Sequence, residues 1–153
     1  MDLAVKIDDY RAWFSKQRNA DAKRMAFAAL GAFEKLNGKT NVSRKQLIPI
    51  VNATLCRFKA VWTIGADLLF RVGAKNKVAR DAVLEIMTSK KAAERYHVIC
   101  MLAYLWDSIG LRRSFMEGVI RTGLNYKSAL VRVEAVVAAS MRPILSSPLA
   151  NNR

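Results

Sequence analysis

The sequence predicts an all-α fold, a stack of about four helical hairpins, and three observations lead there. Apolar residues recur at spacings of three and four, and no stretch alternates convincingly with period two over strand length. Only three prolines and seven glycines punctuate the chain. A short phrase opened by arginine recurs four times: RMAFAALG at 24–31, RFKAVWTI at 57–64, RYHVICML at 95–102 and RVEAVVAA at 132–139. The arginines are 33, 38 and 37 residues apart, the length of a helix-turn-helix repeat. One domain over residues 1–142 is expected, followed by an extended or mobile tail over 143–153.

Each element has its own warrant. A helix over 3–15 draws apolar surface from Val5, Ile7, Trp13 and Phe14, with Asp2 as its cap. A second, over 21–36, sets Met25, Ala28, Ala29, Phe33 and Leu36 on one stripe and stops at Asn37-Gly38. Ser43 with Gln46 forms a capping box that starts a helix over 44–53, which Pro49 should kink. The fourth helix is expected over 55–71, ending at Gly73, and the fifth over 75–88 on Val78, Val83, Ile86 and Met87. The turn 88–91 leads to a helix over 92–106. Ser108 caps one over 109–122, and the last spans 127–141 before Pro143. The eight pair as consecutive hairpins, each with an arginine phrase near the start of its second helix.

These phrases, with small and aliphatic residues at fixed offsets behind a basic opener, resemble HEAT-like repeats over roughly residues 3–142. Leu47-Ile48-Pro49-Ile50-Val51 is similar to the proline-bearing first helix of such a repeat. Alanines 26, 28, 29, 60, 135, 138 and 139 would let helices approach closely. The resemblance implies a right-handed α-solenoid in which each arginine bridges to a carboxylate or carbonyl of the adjacent repeat. The chain departs from the pattern in two ways. Pro49 lies only eight residues before Arg57, and the acidic residue often found before the second-helix arginine is absent from most repeats, with only Asp21 and Glu94 nearby. An irregular helical bundle is the alternative.

Charge is the main pointer to a partner. Lys and Arg number 26 against 12 Asp and Glu, a net charge of +14. Such an excess attracts nucleic acid or an acidic protein surface, or else simply keeps a self-repelling surface in solution. Basic residues cluster near the starts of the odd helices, as Arg44-Lys45, as Lys75 with Lys77 and Arg80, and as Arg112-Arg113. Stacked hairpins would align them into a ridge where helix N-termini add amide donors suited to phosphate. Lys16, Arg18, Lys90, Lys91 and Lys127 fall in turns within hairpins, on the opposite edge. The expected job is non-catalytic binding of a phosphate backbone. The alternative is an interaction scaffold or assembly subunit for an acidic protein.

Other chemistry finds little support. Cys56 and Cys100 sit in apolar stretches and read as core residues in a reducing compartment. His97 is the only histidine and has no companion ligands, so no metal or cofactor is expected. No glycine-rich phosphate loop is present, since GVIRTG at 118–123 lacks the Lys-Ser/Thr ending. Asp81 and Glu85 read as a solvated face. Trp106-Asp107, with Trp13 and Trp62, invites comparison with HEAT-like DNA glycosylases, though core packing explains each tryptophan more simply. The apolar run Val98–Trp106 is too short to span a bilayer. MDLAVKIDDY lacks signal- or transit-peptide character, so the cytoplasm is expected.

Overall fold

The computed structural model describes residues 3–36, 38–105 and 109–140, with side chains from Lys6 onward. The described residues form eight α-helices and no strand. They are α1 (Leu3–Ser15), α2 (Ala20–Leu36), α3 (Arg44–Thr54), α4 (Lys59–Gly73), α5 (Lys77–Ile86), α6 (Ala92–Leu105), α7 (Arg113–Leu124) and α8 (Ala129–Ser140). Each odd helix packs on the even helix that follows it. Successive even helices α2, α4, α6 and α8 also touch one another, as do α3, α5 and α7. No described helix is long and apolar enough to cross a membrane.

Local chemistry explains most boundaries. The capping box at the start of α3 is complete: Ser43 accepts from the Gln46 amide, and the Gln46 side chain accepts from the Ser43 amide. Gly38, at φ +77°, supplies the left-handed residue beyond α2. Asn76 caps α5 by accepting from the Val78 amide, so α5 begins at Lys77 instead of residue 75. Gly110, at φ +65°, cannot continue a right-handed helix, so α7 starts at Arg113 and not at 109. The expected Ser108 cap and the Asp2 cap lie outside the described residues. The fourth helix also starts later than expected, at Lys59. Leu55–Phe58 forms a turn although no Gly, Pro or Asn marks it. α3 runs through Pro49 as one helix.

Close approach holds neighbouring helices together. A Cβ on Gly65 would fall on the Thr54 amide and 2.6 Å from the Ala53 carbonyl carbon, so α4 lies directly on the backbone of α3. A Cβ on Gly123 would meet Ile99 Cδ1 at 2.9 Å and Ala135 Cβ at 3.0 Å, where α6, α7 and α8 converge. Phe14, Leu30, Ile50, Leu68, Leu69, Phe70, Met87, Ile99 and Leu102 fill the core. The stripe of α2 differs from the expected one. Ala22, Ala26, Ala29, Leu30, Phe33 and Leu36 are buried, while Ala28 is exposed and Met25 half-buried.

Two of the four repeat arginines share one structural role. Arg95 Nε donates to the Ser89 carbonyl at 2.6 Å, six residues back. Arg132 Nη1 donates to the carbonyls of Tyr126, also six back, at 2.9 Å and Lys127 at 2.6 Å. Both bond to the turn just before their own helix, and neither reaches a carbonyl of another helix pair in these bonds. Arg24 pairs instead with Asp21, and Arg57, two residues before α4, lies over the Phe58 ring.

Candidate functional site

Two basic edges lie at opposite ends of α5, whose ten residues rise about 15 Å. On the first edge the starts of α3, α5 and α7 come together. Asn76 Nδ2 donates to the Thr40 carbonyl at 2.8 Å, drawing the start of α5 to the segment before α3. Arg80 lies near Arg112: burial first, and then the Arg112 charge, lower its guanidinium from the usual value. Its Nη1 donates to the Gly73 carbonyl at 2.9 Å. On the second edge the Tyr126 hydroxyl donates to the Lys90 carbonyl at 3.0 Å, and Arg95 covers the Tyr126 ring at 3.7 Å. These contacts bring the α5–α6 turn, with Lys90 and Lys91, against the α7–α8 turn that carries Lys127.

Nine of the basic residues along these edges, the seven near the starts of α3, α5 and α7 with Lys90 and Lys91, divide by partner. Arg44 pairs with Glu85 at 2.6 Å, Lys77 with Asp81 at 2.9 Å and Arg113 with Glu117 at 3.0 Å. Arg80 gives its Nη1 to a carbonyl. Lys45, Lys75, Lys90, Lys91 and Arg112 are exposed and hold no carboxylate among the described residues. The three ion pairs are exposed, and such pairs contribute about 0–1 kcal/mol, little enough to exchange for another anion. The amides at the starts of α3 and α5 are partly taken by the Ser43 and Asn76 caps, whereas α7 begins without a side-chain cap.

Most candidates for catalysis have structural occupations or lie outside the described residues; Trp13, expected to pack in the core, is instead exposed. His97 is buried, donates from Nδ1 to the Thr54 carbonyl at 2.7 Å, and stacks on Trp62 at 4.3 Å and 6°. The ring is thereby a joint between α6, α3 and α4. Burial lowers its pKa below 6.5 against the opposing effect of the Thr54 bond. Trp13 is 49 % exposed on α1. Trp106 and Asp107 lie outside the described residues. Asp81 and Glu85 each hold a basic side chain. No group of three metal-ligating side chains occurs among the described residues. Cys56 and Cys100 are free thiols, and burial pushes that of Cys100 up.

A polar centre absent from the sequence expectations is Asp67. Its carboxylate is fully buried on α4. Oδ2 accepts from Tyr10 Oη at 2.6 Å and pairs with Lys6 Nζ at 3.0 Å, and Oδ1 takes Arg71 Nε at 2.7 Å. Burial, then the Asp67 charge, push the Tyr10 phenol well above its usual value and keep it a donor. The signal for this cluster was a lone charge in the apolar run between Lys59 and Arg71, with Lys6 and Tyr10 at helical spacing. No family model, curated protein or solved structure matches the chain.

Proposed function

We propose that the chain is a short right-handed α-solenoid of about four HEAT-like hairpins, and that it binds a polyanion without catalysis. The foremost candidate is the phosphate backbone of nucleic acid. The observation that carries this is the shared edge of α3, α5 and α7, where Lys45, Lys75 and Arg112 stand without carboxylate partners and Arg80 sits near Arg112. Crowded like charges raise the local positive potential, which a run of phosphates offsets. Lys90 and Lys91 extend the positive surface at the other end of α5, and the net charge of +14 steers any polyanion toward it. The contacts among successive even helices and among α3, α5 and α7 support the solenoid reading. Cations of this kind act on phosphates as point charges, so recognition is expected to be independent of sequence.

The test is the affinity for duplex DNA and for RNA between about 50 and 200 mM salt, which should fall steeply, by about 0.9 in log K per log salt for each duplex phosphate contacted. Replacing Lys45, Lys75 and Arg112 together by alanine should lower that slope by roughly three such contacts. No binding at the lowest salt would overturn the proposal.

A further inference from the structure

The outer face of α8 is apolar and uncovered among the described residues. Leu130, Val133, Val136 and Val137 are 57, 57, 56 and 38 % exposed. Residues 130, 133 and 137 share one side of the helix, opposite the buried Val131, Ala135 and Ala138 that pack α8 inward. With Leu124 and Arg132 the valines line a shallow groove of about 480 Å³. A stack of helices needs a polar outer face to stay in solution, so the last described helix, with this composition, is suited to being covered.

The charges around the face select what covers it. Arg121, on the same side of α7 as Leu124, and Lys127, two residues before α8, hold no carboxylate among the described residues. Arg132 gives Nη1 to two carbonyls and pairs with no carboxylate among the described residues, which leaves its charge uncancelled. Glu134, the only acid of α8, is half-buried and acts on Tyr96 and Cys100 of α6. A second copy would bring another +14 and the same cations against this face. We propose that the outer face of α8 docks an amphipathic helix of a partner protein, its apolar stripe bordered by Asp and Glu. Of the basic residues on the two edges this surface shares only Lys127, and it stands whether or not the polyanion reading does.

The probe is a synthetic helical peptide with leucine at i, i+3, i+4 and i+7 and glutamate elsewhere, set against its lysine counterpart. The glutamate peptide should bind at least about tenfold more tightly than the lysine peptide. Val133→Glu with Val136→Glu should weaken it by at least about tenfold with helicity and Tm unchanged. Lys45→Glu with Lys75→Glu should leave it within about twofold, which separates this site from the polyanion edges. Equal binding of both peptides, or indifference to the α8 substitutions, would overturn the proposal. So would a sedimenting dimer that Val133→Glu dissociates, since a second copy would then be the occupant. Peptide binding seen only after deletion of residues 141–153 would overturn it too, since that segment would then hold the face.

Discussion

The two outermost described helices are attached in opposite ways. Among its described side chains α1 presents Asp8, Asp9 and Trp13 outward, and the apolar ones it buries are chiefly Ile7 and Phe14. Its firmest link is polar: Lys6 and Tyr10 reach the fully buried Asp67 of α4. α8 uses the reverse scheme. It meets α6 and α7 through Val131 and small residues, with Gly123 against Ala135 and Ile99, and it leaves Leu130, Val133, Val136 and Val137 outside. A buried charge cluster is directional and specifies one docking geometry, but it is costly to break. Small residues admit close packing on one face and leave the other free for large side chains. The outward character of each helix thus follows from how it is held inside.

The sharpest way to break this contrast is Asp67→Asn. Two cations would lose their buried counter-charge, so the chain should lose about 3 kcal/mol of stability in urea unfolding. Hydrogen exchange should accelerate first in α1. An equal loss of protection in α8 would mean that the two helices are not held independently. A smaller, pH-dependent effect tests the joint between them. The folded-state pKa of His97 is depressed, so the unfolded chain binds the proton more readily. Its stabilisation is therefore complete above pH 6.5 and is lost as pH falls below that value, toward and through the lower folded-state pKa. His97→Gln should flatten this part of the stability profile and bias neither outer helix. The smallest effect belongs to α8. Arg132→Ala removes two exposed hydrogen bonds to turn carbonyls and should cost about 1 kcal/mol, seen as faster exchange in the α7–α8 turn with α1 unchanged.

How much of this was legible in the sequence depended on the range of the interaction. The Ser43 capping box and the stop at Gly38 are local signals, and both took the form expected of them. The all-helical character followed from the apolar spacing, yet the four arginines of the recurring phrase are not equivalent. Only Arg95 and Arg132 sit at the same position in their helices, and Arg57 precedes α4 altogether. The late start of α4 carries no turn residue. It goes with the Gly65 contact that lays α4 on α3, a requirement that only the packed pair reveals. At the candidate site, basic positions can be read directly because charge belongs to single residues. Their partners cannot: Arg44 finds Glu85 41 residues away, and Asp67 finds Tyr10 across 57. The apolar face of α8 was hidden for a related reason. Its valines and alanines form an almost unbroken apolar run, so sequence alone does not say which side turns inward.

The reach of the Asp67 cluster also sets an order in time. A ribosome adding about 5–20 residues per second needs roughly 3–11 s to pass from Tyr10 to Asp67, 57 positions later. Through that interval α1 has no anchor in α4. The turn closed by Arg132, in contrast, is complete once six further residues are made. α1 is thus fixed late, and a nascent chain halted before Asp67 would carry it as an unsecured, chaperone-accessible segment.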